Sequence, residues 1–256
     1  MYRSLLSLSL LALFATNASA QWGTVKGRFV YDGKPPVAAK LTVNKDLTVC
    51  GKEPIFSEDL VVNAENKGIQ NVVATLYLKR GKKTKIHPEY EATANDVVTL
   101  DNTGCQFVPH ITLLRTTQTL LVKNSDPVGH NTKIDTFKNS PINPIIPGNQ
   151  NIQQKMTKAE PLPVPVSCSI HPWMTAKLVV NEHPYMAVTD ADGNFEIKNL
   201  PAGKLTLRFW HEGGGYITKA KKGGKSQKWK SGRMDVTVKN GLNDLGELLV
   251  APAELK

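Results

Sequence analysis

Cysteine is scarce in this 256-residue sequence, which has three: Cys50, Cys105 and Cys168. Acidic residues are also in short supply, 22 against 32 Lys and Arg, for a formal charge of +10. No internal repeat is present, which excludes solenoid, collagenous and coiled-coil architectures. After residue 20, no apolar run approaches the length of a bilayer-spanning helix, so a polytopic helical membrane protein is excluded. Gly-x-Ser-x-Gly, His-Glu-x-x-His and a phosphate-cradling glycine loop are all missing. That removes the usual serine-hydrolase, zinc-protease and nucleotide-binding devices.

What is present suits a packed core, with 40% hydrophobic residues, while 16 Pro and 19 Gly are spread along the chain. Such punctuation favours many short strands over long helices. The first 20 residues read as a secretory signal peptide: Arg3, an apolar stretch from Leu5 to Phe14, then Ala18-Ser19-Ala20 before Gln21. An exported, periplasmic or extracellular chain follows. Export argues against nucleic acid as the target of the positive charge. Anionic lipid, an acidic polymer or an acidic protein fits better. The segment 219–233 concentrates that charge in Lys219, Lys221, Lys222, Lys225, Lys228, Lys230 and Arg233. It reads as a solvated hairpin tip that could also contact an anionic surface.

An oxidising compartment pairs two of the three cysteines. A Cys50–Cys105 disulfide would close a loop of about 55 residues, worth roughly 4 kcal/mol on the loop-entropy model. Cys168 is then left as a free thiol.

Strand patterns run through Thr24–Tyr31, Leu41–Val43, Asn71–Leu78, Val97–Leu100, His110–Leu114 and Thr119–Val122. A helical turn or two fits His87–Thr93, and Asn139–Pro147 is loop-like. A second block holds Lys177–Val180, Met186–Thr189, Asn194–Ile197, Lys204–Trp210, Met234–Val238 and Glu247–Val250. Asp190–Asn194 resembles the start of a calcium loop, but Pro201 stands where its bidentate Glu belongs, so it reads as a hairpin turn. The fold class is all-β, in sandwich-like units.

The chemistry concentrates in Cys168-Ser169-Ile170-His171-Pro172-Trp173-Met174 and upstream in Gly129-His130-Asn131. A thiolate, an imidazole and a thioether sit within seven residues. With His130 from a neighbouring strand end, they make up a two-imidazole, one-thiolate set with a weak axial thioether. That is the donor set of a mononuclear blue-copper site. Zinc accepts Cys and His but has little use for the thioether. His110, His183 and His211 lack metal-type spacing and read as structural, as does His87.

These two segments resemble the copper motifs of cupredoxins, most closely the amicyanin and plastocyanin branch. The resemblance implies copper held by His130, Cys168, His171 and Met174, with Asn131 tying the two ligand loops together. It also implies a single-electron carrier rather than an enzyme. A dinuclear oxidase centre needs a second nearby Cys, and an oxidative polysaccharide-cleaving site needs an N-terminal His where Gln21 stands. Gly104–His110, Thr189–Phe195, Leu200–Gly203 and Trp210–Glu212 extend the likeness to exported methylamine-utilization-like proteins. In these a cupredoxin Greek-key sandwich accompanies a carboxypeptidase-regulatory, transthyretin-like sandwich.

The expected division is a signal peptide over 1–20, N-terminal strands over 21–59, a copper domain over 60–182 and the regulatory-like sandwich over 183–256. The 21–59 strands would belong to that sandwich, with the copper domain inserted into it. His171, beside Pro172 near the surface, is the expected electron exit. Trp173 and Pro172 are candidate contacts for a redox protein partner. Pro161, Pro163 and Pro165 precede Cys168, so its strand should lie at a sheet edge or be irregular. Two rival readings are an envelope copper-binding or buffering protein, and a structural or glycan-binding module using the 219–233 hairpin with a vestigial copper site.

Overall fold

The structure is a computed structural model that describes residues 21–256; the signal-peptide reading of 1–20 lies outside them. The described chain is all-β, with four sheets of four or five strands and a small two-stranded one. No helix among the described residues is long and apolar enough to cross a membrane.

Two hydrophobic cores organise these sheets. The central sandwich joins two four-stranded layers. In one, Thr119–Asn124 lies between Asn151–Lys155 (antiparallel) and Val97–Thr103 (parallel). In the other, Thr175–Asn181 lies between Ile111–Arg115 (parallel) and Val164–Ser167 (antiparallel). Alternation drives the packing: Leu120 and Val122 from the first layer meet Ala176, Leu178, Val180, Val164 and Val166 from the second.

The flanking sandwich is assembled from both ends of the described chain. Trp22–Tyr31 is a central strand there, antiparallel to Asn194–Pro201 and parallel to Gly241–Val250. In the opposite sheet, Val73–Leu76 lies between Met186–Val188 and Gly203–His211. Phe29, Phe195, Phe209 and Trp229 form the aromatic centre of this second core. Gly193, at φ +80°, lets the 190–194 turn approach the backbone of Phe29 and Gly68, where a Cβ would collide.

These pairings correct the expected boundaries in two places. Residues from Leu60 to Leu78 pack on the flanking core, not within a unit that starts at residue 60. Leu41 and Val43 form no strand; the neighbouring Lys40 makes an isolated bridge to Phe56, and both apolar side chains pack on the central core. The reason is tethering: the Cys50–Cys105 disulfide, with Cα atoms 5.3 Å apart, pins this segment to the central unit. The proline-containing strand is also displaced from expectation. Val164–Ser167 is interior to its sheet, flanked on its far side by the two-residue strand Lys133–Ile134. Pro165 lies one residue outside that short ladder, where only its carbonyl is used, accepting from Asp135 N–H at 3.2 Å. Lys219–Lys222 and Lys225–Lys228 do form a hairpin.

The two cores meet along a seam where Val73, Ile111 and Val179 pack with Leu113, Met186 and Trp210. Polar contacts reinforce it. The His110 Nε2 atom lies 2.6 Å from a Glu212 oxygen, and Lys177 reaches the other Glu212 oxygen at 2.7 Å. His110 Nδ1 has the Glu58 carboxylate at 3.4 Å, an ion contact rather than a hydrogen bond. Burial pulls the His110 pKa down, but Glu212 and Glu58 outweigh it and raise it to about 9.

Two predictions follow from this architecture. A fragment 183–256 lacks Trp22–Tyr31 and Val73–Leu76, so it should be insoluble or unfolded by circular dichroism. A soluble, cooperatively melting fragment would contradict the strand order. The protonated His110 stabilises the seam fully below about pH 6.5, and that contribution is lost as pH rises through about 9. The difference in unfolding free energy between wild type and Glu212→Gln should shrink over that window, by up to about 3 kcal/mol. A pH-independent difference would rule out His110 as its source.

Candidate metal centre

The Cys168–Met174 segment is the loop of a hairpin. Ser167 and Thr175 are paired across the antiparallel strands on either side. Cys168 N–H donates to the Met174 carbonyl at 3.2 Å, and Met174 N–H donates to the His171 carbonyl at 2.9 Å. This closure turns three potential ligands of one short loop toward the end of the central core. Met174 and Cys168 are both buried in that core.

His130 arrives from the opposite layer. Asn124, at the end of its strand, donates to the carbonyls of Val128 and Ile146 and accepts from Asp126 N–H, which shapes the 124–130 turn. His130–Asn131 then pairs with Ile145–Ile146. Asn131 joins the two loops: its Oδ1 accepts from Ser169 N–H at 2.7 Å and Ile170 N–H at 3.1 Å, and lies 3.4 Å from Cys168 Sγ.

At the centre, His130 Nδ1 and His171 Nδ1 are 2.8 Å apart, and Cys168 Sγ is 3.8 Å from His171 Nδ1. The ligand atoms of His130, Cys168 and His171 lie within 4.8 Å of one another, and all three residues are buried. Each imidazole is held from behind by a carboxylate. His130 Nε2 is 2.9 Å from Asp126 Oδ2, and His171 Nε2 is 2.7 Å from Asp46 Oδ2. A carboxylate is an acceptor, so each Nε2 carries a proton, and in the neutral ring each Nδ1 presents a lone pair. Two lone pairs 2.8 Å apart in a buried site require a cation between them, either a proton or a metal.

Electrostatics follow from this geometry. Burial alone would raise the Asp126 carboxyl, but His130 and the N–H groups of Cys105 and Gly104 hold it below the usual carboxylate range. Burial opposes charge on His130 too, yet Asp126 and Cys168 push its pKa up to about 9. The Cys168 thiol would rise on burial; His130 and the neighbouring backbone N–H groups pull it down, toward thiolate. Burial and the adjacent His130 hold His171 below the usual imidazole range despite Asp46.

The disulfide organises both carboxylates. Gly104 and Cys105, both at positive φ, form a two-residue turn between paired strands, and their N–H groups donate to Asp126 at 2.7 and 2.9 Å. Across the S–S bond, Cys50 ends the short helix Leu47–Cys50, which Asp46 precedes. One crosslink therefore positions the groups behind both imidazoles. A second grouping, Cys105 with Asp126 and His130, offers no thiolate because Cys105 is in the disulfide.

The expectation for His171 needs correction. It is fully buried, and Asp46, itself partly exposed, covers its outer nitrogen. Pro172 is exposed, while Trp173 is half-buried beside His171, with ring centres 5.1 Å apart, and donates to the Cys105 carbonyl. His183 Nε2 donates to the Leu76 carbonyl at 3.0 Å, and His211 Nδ1 accepts from Gly213 N–H at 3.2 Å. Both serve the flanking fold. Asp126 and Asp46 were missed in the sequence. Asp126, four residues before His130, carried a local signal; Asp46, 125 residues from His171, carried none.

No family model and no curated protein matches the chain. Parts of it are similar to solved structures. They include a copper-containing nitrite reductase from Thermus scotoductus SA-01, with 20% identity, TM-score 0.30 and 41% of this chain covered. The chain spans about a quarter of that enzyme, 25% of its length. A Cu(I) form of an amicyanin variant shares 17% identity over 33% of this chain and 81% of its own, at TM-score 0.30. A purple cupredoxin from Nitrosopumilus maritimus shares 18% over 34% of this chain and 99% of its own, at TM-score 0.28.

Asp46→Ala should leave the fold intact but loosen His171. Copper affinity, measured by competition with a chelator, should fall roughly 10–100-fold. Unchanged affinity would show that Asp46 plays no part in holding the ligand.

Proposed function

We propose that this is an exported, mononuclear copper protein of the cupredoxin kind that carries single electrons. The observation that carries the reading is the pair of carboxylate-backed imidazoles facing each other beside Cys168. The soft thiolate and the thioether of Met174 in the same loop favour copper over zinc. Copper held by His130, Cys168 and His171, with Met174 as the weak fourth donor, would supply one-electron exchange between Cu(I) and Cu(II).

The chain's own residues prepare that exchange. Asp126 and Asp46 fix the imidazole tautomers and ring orientations, so the donors need little rearrangement between oxidation states. Asn131 ties the His130 strand to the Cys168 loop, and the buried surroundings exclude water. Met174 would tune the potential. Cys168 would provide the principal electronic coupling, with Pro172 and Trp173 as the thinnest cover toward a redox protein partner. The flanking unit is proposed to be the transthyretin-like sandwich that the sequence resembles, hosting the copper unit as an insertion. No catalytic residue is assigned.

The burial of His171 under Asp46 favours a second reading, copper binding or buffering without a redox partner. Electron self-exchange of the copper-loaded protein separates the two. Fast exchange supports the carrier, whereas negligible exchange supports the buffer. In either case Cys168→Ser should lower copper affinity by orders of magnitude, read by chelator competition. An unchanged affinity would remove Cys168 from the site and leave the glycan-binding alternative.

A further inference from the structure

A cleft of about 610 Å³ opens along the seam between the two sandwiches, away from the metal centre. Its volume is that of a small-ligand site. At its floor the Arg208 guanidinium lies between two phenol rings, 4.2 Å from the centre of Tyr77 and 4.8 Å from that of Tyr216. One Arg208 nitrogen donates to the Tyr216 hydroxyl at 3.3 Å. Directly across the strand pair stands Arg233, which shares the Tyr77 ring at 5.1 Å and donates to its hydroxyl.

Two like charges placed opposite each other in a sheet repel. Here no acid offsets them: among the described residues, neither arginine has a carboxylate within ion-pair distance, and Arg233 Nε is spent on the Lys230 carbonyl. The Arg208 Nε atom is buried with no hydrogen-bond partner. The walls add positive charge. Lys79, Arg80, Lys82 and Lys138 all line it. They belong in part to Lys79-Arg80-Gly81-Lys82-Lys83-Thr84-Lys85, a run without an acid. Of the two acids that line the cleft, Glu160 is engaged by the N–H groups of Phe137, Lys138 and Asn139, and Glu182 is exposed. An aromatic wall, Trp210, completes the site.

We infer that this cleft binds a small ligand carrying several oxyanion groups, carboxylate or phosphate, with Arg208 as its anchor. A planar guanidinium held by flanking rings is oriented before binding, and an oxyanion paired with its accessible edge would offset the Arg208–Arg233 repulsion. This site is independent of the metal centre and of the 219–225 end of the basic hairpin. The two sources of such chemistry are acidic saccharides and phosphorylated small molecules.

Isothermal titration of residues 21–256 with trigalacturonate and with tripolyphosphate, at low salt, tests the inference and separates the sources. Binding of either probe is expected, with Trp210 fluorescence changing on the same curve. Arg208→Gln should weaken binding roughly tenfold or more, with copper loading unchanged. Lys82→Gln with Lys138→Gln, both exposed and outside the cores, should weaken it without touching the fold. Lys222→Gln with Lys225→Gln should leave it unchanged. Failure of both probes to bind would overturn the proposal. So would equal losses in the hairpin variant, which would indicate diffuse charge attraction.

Discussion

Two imidazole nitrogens face each other at 2.8 Å in a buried site, and with each far nitrogen donating to a carboxylate, one can donate to the other only as an imidazolium. That constraint calls for a cation, and most of the surrounding architecture serves to maintain it. Asp126 is held by the turn at Gly104-Cys105, and Asp46 stands at the start of the helix that Cys50 ends. The disulfide joins those two supports, so the crosslink acts on the chemistry of the site as well as on the entropy of the unfolded chain. Trp173 adds a further tie by donating to the Cys105 carbonyl.

The same arrangement constrains how charge could leave the site. An exposed imidazole edge would offer a direct path to a partner, but Asp46 closes it over His171. Any exchange would then cross Pro172, Trp173 or the Asp46 carboxylate. The flanking sandwich contributes differently: its strands come from both ends of the described chain, so the central unit is held at two crossings and along a seam buttressed by His110, Glu212 and Lys177.

The site's legibility in sequence follows the range of its interactions. Cys168, His171 and Met174 are local and lie in one hairpin loop, so their spacing carried the chemistry. Asn131 followed from its neighbour His130. Asp126 could be found four residues upstream, whereas Asp46 meets His171 only through the folded chain. Strand existence was readable from alternation at Thr24–Tyr31, Thr119–Val122 and Lys204–Trp210, because one face of each is buried. Alternation does not say which sheet a strand joins, which is why Val73–Leu76 belongs to a different unit from the one its position suggested. Leu41 and Val43 are apolar because they cover a core beside the disulfide, a role that mimics a strand pattern.

Cys168 and the facing imidazoles are proposed to hold one copper ion as a thiolate complex. The visible absorption spectrum of residues 21–256 loaded with Cu(II), then treated with ascorbate and reoxidised, tests it most directly. An intense thiolate-to-copper band at one copper per chain is expected, bleaching on reduction and returning on reoxidation. A pale spectrum with copper bound would place the metal away from Cys168 and contradict it.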